Sequence, residues 1–146
     1  MKPKSAIKKG KNFENWIADQ IEEAGLGRAS RTPGSGSGNR HKGDILANIP
    51  FLIEAKNHRS LKWHPAIDQA KSQAEIGNWD SKKWLLVVKD FRSPENNPEA
   101  YALIDFHEFL KLLKKDAEPL VKEPDRNLKY KLGRLKQSAQ EVIKEL

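Results

Sequence analysis

Apolar positions in the first half of the chain change period twice, and each change marks an element. Phe13, Trp16, Ile17, Ile21 and Ala24 recur at the spacing of one helix face, and Gly25 and Gly27 supply a stop. The Lys-rich residues 1–11 lie outside that pattern and read as a mobile tail. Arg28–Thr32 reads as a short edge strand. Asp44–Ala47 and Phe51–Lys56 are strands around Asn48-Ile49-Pro50, a turn composition, which predicts an antiparallel hairpin. A helix starts around His64-Pro65, with proline in its first turn, and runs to Ile76 with Gly77 beyond its end. Lys83–Val88, apolar after its first residue, suits a central strand buried on both faces. Asn96-Asn97-Pro98 marks a loop and Ala100–Ile104 another strand. Asp105 then caps a helix whose Phe106, Phe109, Leu110 and Leu113 form one stripe, with Glu108 completing a capping-box-like pattern.

The order helix, strands, helix, strand, strand, helix predicts an α/β domain: a central mixed sheet flanked by helices. No internal repeat is visible. Residues 118–125, with Pro119 and Pro124, break the chain, so a core over residues 1–116 is followed by a linker and helical extension over residues 117–146. In that extra C-terminal helix Leu128, Leu132, Leu135, Ala139, Val142 and Leu146 alternate spacings of four and three, a heptad seam under three heptads long. Such a seam either folds back on its own domain or forms a dimer contact.

Composition narrows the partner. The 146 residues contain no cysteine, which excludes disulfides and thiolate metal sites. No apolar run approaches the ~20 residues that span a membrane, and the basic N-terminus lacks a signal-peptide core, so a cytoplasmic protein is expected. The net charge of +7 favours an anionic partner. Residues 1–42 carry nine Lys/Arg against four acids, and residues 64–116 carry eight against nine, so the excess is concentrated towards the N-terminus. No strongly basic amphipathic helix is evident, so nucleic acid fits better than a membrane.

The chemistry centres on Gly43-Asp44 and Glu54-Ala55-Lys56. Alternation on a strand puts Glu54 and Lys56 on one side and Phe51, Ile53 and Ala55 on the other, towards a core. A carboxylate and an ammonium ending a buried-type strand are costly unless they serve a purpose. Asp44 and Glu54, with the backbone carbonyl of Ala55, offer oxygen ligands to a hard divalent cation. Lys56 beside them would stabilise transition-state charge and orient or help deprotonate a water. Glu14 lies about 20° from Ile21 and about 60° from Ile17 on a helical wheel, at the border of the buried stripe, which suits either a peripheral surface residue or one that would extend the site or bind a second ion. An acid-x-Lys triplet alone is weak: Asp80-Ser81-Lys82 is another, but it sits in a polar turn without an apolar strand leading to it.

At these residues the chain resembles the PD-(D/E)XK nuclease superfamily, with Gly43 in the place of that pattern's proline. Glu14 on the first helix and the Gly/Ser loop before Asp44 are similar to archaeal-type Holliday junction resolvases and their phage relatives. The resemblance covers about residues 8–113 in element order. It implies a restriction-endonuclease-like core, metal ligation by Asp44 and Glu54, a catalytic Lys56 and an active-site role for Glu14. It also implies Mg²⁺, with Mn²⁺ as a substitute, and a homodimer that cuts four-way DNA junctions.

Around this centre Lys9, Lys11, Arg28 and Arg31, the loop residues Ser35, Ser37, Arg40, His41 and Lys42, and His58 and Arg59 are candidate DNA contacts. Gln69 reads either as an active-site or DNA contact or as plain helix surface. His41, His58 and His64 form no zinc pattern. Trp63 and Trp79 suit core or interface packing better than base stacking. A restriction-type, nicking or other DNA-processing nuclease remains open, as does a basic DNA-binding module in which the acids and Lys56 form an ion pair. That last role explains the placement poorly, because an exposed pair contributes little.

Overall fold

Five strands make one mixed sheet in the order β1 (Ala29–Arg31), β2 (Ile45–Ala47), β3 (Leu52–Lys56), β4 (Trp84–Lys89) and β5 (Ala100–Ile104). The computed structural model describes residues 3–34, 43–116 and 126–146. The predicted hairpin forms: β2 and β3 are antiparallel, with Ile45 opposite Ile53. β1 pairs only with β2, as the expected edge strand. β3 and β4 are parallel, with Glu54 opposite Leu86 and Lys56 opposite Val88, and helix α2 (Trp63–Ile76) makes the crossover between them. β5 closes the other edge, antiparallel to β4.

Helix α1 (Pro3–Glu23) covers one face of the sheet, burying Phe13, Ile17 and Ala18 against Ile45 and Ile53. α2 covers the other face with Ala66, Ala70 and Ala74 against Trp84, Leu86 and Val88. The three small side chains let α2 approach the strands closely. Each large apolar side chain so buried contributes roughly 1.5–3 kcal/mol. The central strand β4 is thus buried from both sides, as its uninterrupted apolar run predicts.

Three expectations change. α1 begins at Pro3, so most of the supposed N-terminal tail is helical. Proline suits a first helical position, and the Ala and Lys that follow are good helix formers even where no apolar period reveals them. Asp105 does cap helix α3 (Phe106–Asp116), its Oδ1 accepting from the N–H groups of His107 and Glu108. The Glu108 side chain, however, is buried and paired with Lys83 at 2.5 Å, while Phe106, Phe109 and Leu110 stay exposed. The buried side of α3 is therefore the one bearing Glu108. Trp63 and Trp79 are also substantially exposed rather than core residues.

The chain forms two compact units, Met1–Leu110 and Lys111–Leu146. The second contains helix α4 (Arg126–Glu145). Along its seam Leu132, Leu135 and Val142 are each more than half exposed. The side chain of Leu128 lies outside the described residues.

Candidate active site

Gly43 introduces the site through its backbone. Its φ of +97° lies in the left-handed region, and an added Cβ would stand 3.0 Å from the Ile53 carbonyl oxygen and 3.0 Å from Leu52 Cγ. Proline, held near −65°, could not take this conformation, and any side chain would collide with β3. The glycine turn feeds Asp44 into the sheet. The Asp44 N–H donates to Ile53 O at 2.8 Å, and its carbonyl accepts from Thr32 N–H at 2.8 Å. Its carboxylate Oδ2 accepts the Ala55 N–H at 2.8 Å. The backbone between Glu54 and Lys56 thus fixes the Asp44 carboxylate.

Glu54 and Lys56 share the α2 face of β3, whereas Ile53 and Ala55 pack towards α1, as alternation requires. Glu54 is only 4% exposed. Burial, then the charge of Asp44, push its carboxyl up to about 8, and the Lys56 charge offsets part of this. Lys56 Nζ donates to Gln69 Oε1 on α2 at 2.8 Å. Gln69 thus touches this candidate site through Lys56.

Glu14 borders the buried face of α1 as expected. Burial and the Asp44 charge raise its carboxyl, while Arg31 and Lys11 act the other way. Arg31 Nη1 lies 3.7 Å from Glu14 Oε2, too far for a hydrogen bond, and that oxygen is buried without a hydrogen-bond partner. Among the described residues, no three His, Cys, Asp or Glu side chains converge as a metal cluster. Glu14 therefore stands near Asp44 without completing a three-acid group.

The donor chemistry suits a hard cation. Burial, then the charge of Asp44, favours the protonated Glu54 carboxyl, and a divalent ion would offset both by supplying positive charge. Asp44, Glu54 and the Ala55 carbonyl would offer such an ion oxygen donors only.

The other candidate contacts divide. His58 and Arg59 are exposed just beyond Lys56, and Lys11 and Arg28 are exposed on α1 and before β1. Lys9 lies 3.9 Å from Glu95, and its carbonyl accepts from Asn57 Nδ2 at 3.4 Å, so it also anchors α1 beyond β3. Ser35, Ser37, Arg40, His41 and Lys42 lie outside the described residues.

One cluster was not anticipated from sequence. Asp90, after β4, accepts hydrogen bonds from Arg92 Nη2 at 2.6 Å and from Tyr101 OH at 2.9 Å. Those bonds, Arg92's first, hold its carboxyl well below the usual range. With the segment after β3 this turn borders a cleft of about 450 Å³. The available signal was positional: polar residues follow immediately after the parallel strands β3 and β4, and ligands of open α/β sheets bind at strand carboxyl ends.

No curated protein and no solved structure was found to match the chain. Residues 5–116, most of its length, match the family described as "Phage putative PDDEXK endonuclease". Asp44, Glu54 and Lys56 fall within the matched span, Asp44 just before β2 and the other two on β3. The chain belongs to that phage PDDEXK endonuclease family, within the PD-(D/E)XK nuclease superfamily.

Proposed function

We propose that this nuclease is a Holliday junction resolvase, an endodeoxyribonuclease that hydrolyses phosphodiester bonds of four-way DNA junctions as a cytoplasmic homodimer. Mg²⁺ is its cofactor in this reading, with Mn²⁺ able to substitute. PD-(D/E)XK nucleases generally use divalent metals. The observation that carries the catalytic part is the Asp44 carboxylate tied to the Ala55 N–H, beside a buried Glu54 and a tethered Lys56. The resolvase part rests on the position of Glu14, the Gly/Ser loop and the exposed seam of α4.

Asp44, Glu54 and the Ala55 carbonyl would hold the ion. When bound, it supplies a Lewis acid that polarises the phosphate and acidifies a water. Glu54 would serve as a ligand in its deprotonated form. The Lys56 ammonium, aimed by Gln69, orients the attacking water and offsets negative charge developing on the phosphate. Glu14 would extend the site from α1, accepting hydrogen bonds from water or helping to hold a second ion. Residues 1–116 act as the catalytic core and residues 117–146 as the extension that pairs two copies. Lys9, Lys11, Arg28, Arg31, His58 and Arg59, with the 35–42 loop, contact the DNA backbone.

The test compares a labelled four-way junction with linear duplex of the same sequence, in Mg²⁺ and in EDTA, with Glu54→Ala as control. Paired, symmetric cuts in the junction alone are expected. Absence of Mg²⁺-dependent cleavage of any DNA would overturn the reading. Equal cutting of duplex would reduce it to a DNA-processing nuclease without junction selectivity.

A further inference from the structure

We propose that the cleft between residues 58–63 and the 89–92 turn is a stacking pocket for an unpaired nucleotide of the DNA, next to the scissile phosphate. The proposal rests on the nuclease reading above and deepens it by naming what the enzyme selects.

Position comes first. β3 and β4 are the parallel pair of the sheet, and Lys56 lies opposite Val88. The cleft opens two residues beyond Lys56 on one strand and at Val88 on the other. It therefore adjoins the candidate active site at the carboxyl ends of the strands, where open α/β sheets bind ligands. A volume of about 450 Å³ is within the range of small-ligand pockets.

Its chemistry narrows the occupant. Trp63, Phe91 and Tyr101 border the cleft, and about half of each remains exposed. Three large aromatics left in water beside a nuclease centre offer ring faces to bases, and stacking tolerates any base. Arg59 adds positive charge, with His58 alongside, and Asp90, the one acid bordering the cleft among the described residues, is offset by Arg92 and bonded by Tyr101. A cation beside aromatic rings suits a base with its phosphate. A paired base has both faces covered by its neighbours in the stack, so only a base displaced from the duplex can use these rings. Such bases occur where strands exchange or part.

The pocket is built before DNA arrives. Asp90 fixes both the Tyr101 hydroxyl and the Arg92 guanidinium. Lys89, buried beneath, donates to Ser93 O at 2.8 Å, and Ser93 Oγ donates to Asp90 O at 2.6 Å. These bonds hold the turn that carries Phe91, so little freedom is lost on binding.

The experiment uses the full chain in EDTA, with fluorescent duplex and the same duplex carrying one unpaired 2-aminopurine. The unpaired DNA should bind about tenfold tighter, in line with stacking on an aromatic ring, with the 2-aminopurine emission quenched. Trp63→Ala should bring the affinity ratio close to one and abolish quenching, and Trp63→Phe should restore most of both. Phe91→Ala, from the opposite wall, should act like Trp63→Ala and serves if that variant fails to fold by circular dichroism. A ratio near one in the unaltered protein, or a ratio untouched in the folded alanine variants, overturns the proposal. So does a variant that turns a dimer into monomers while keeping the ratio, because the rings then form a protein interface. Glu54-dependent cleavage with a ratio near one overturns this pocket alone, whereas failure to bind any DNA overturns the nuclease reading as well.

Discussion

Lys56 Nζ donates a 2.8 Å hydrogen bond to Gln69 Oε1, joining the end of β3 to α2 across the crossover. An amide oxygen orients the ammonium without neutralising it, which a carboxylate would do. Gln69→Ala should therefore lower kcat about tenfold with KM changed less than about threefold, since a loosened catalytic group costs more in rate than in binding. Gln69→Glu should lower kcat further by pairing with Lys56. Steady-state cleavage assays measure both, and an unchanged kcat in Gln69→Ala would show that the contact does not position Lys56.

The buried Glu54 makes stability depend on pH. Glu54 titrates at about 8 in the folded protein and near 4.5 in a free chain. Between those values the unfolded chain has lost a proton that the folded protein keeps. The contribution is full below about pH 4.5 and is lost as pH rises towards about 8, at no more than about 1.4 kcal/mol per unit. In EDTA, Tm should fall across that window and level off above it, and Glu54→Gln should remove most of the slope. Affinity for a divalent ion should rise across the same window, because binding expels the proton. Thermal melts and calorimetric titrations at several pH values check both trends.

Gly43 is a strict requirement of the turn. Gly43→Ala combines a φ of +97° with a Cβ at 3.0 Å from backbone and side chain of β3. It should cost about 1–3 kcal/mol in urea unfolding and, by displacing Asp44, cleavage activity as well. Native stability with native activity would mean that the turn relaxes freely.

Glu108→Ala should destabilise by about 2 kcal/mol. It removes the partner of Lys83 and leaves a void where a side chain 2% exposed had been. Lys83 keeps partial access to water, which holds the cost below that of a fully buried pair. Urea titration measures it.

The homodimer reading makes its own demand. Leu135→Glu with Val142→Glu places charge on the exposed seam of α4, where a monomer would tolerate it. Sedimentation should show a dimer turned into a monomer, with paired cutting of junctions lost. A chain that is monomeric without these changes excludes the role assigned to α4.

Much of this architecture is written in local patterns. Period and turn composition identified the β2–β3 hairpin, the crossover helix α2 with its early proline, the buried β4 and the Asp105 cap, because those features depend on neighbours within a few residues. The start of α1 escaped because its exposed lysines show no period and only helix propensity holds them. Glu54 and Lys56 stood out because two charged residues closing an apolar strand are anomalous wherever the strand lies, and Asp44 because it heads the run before them.

What the residues themselves determined, then, is the α/β order, the candidate acids and lysine, and the nuclease resemblance that the family match supports. Tertiary structure decided which atoms meet: Asp44 with the Ala55 N–H, Lys56 with Gln69, Glu108 with Lys83, and Asp90 with Arg92 and Tyr101. Most of these partners lie far apart in sequence, so strand register and helix packing select among them. The same packing raises Glu54, because a pKa responds to surrounding charge and lost water rather than to the residue alone.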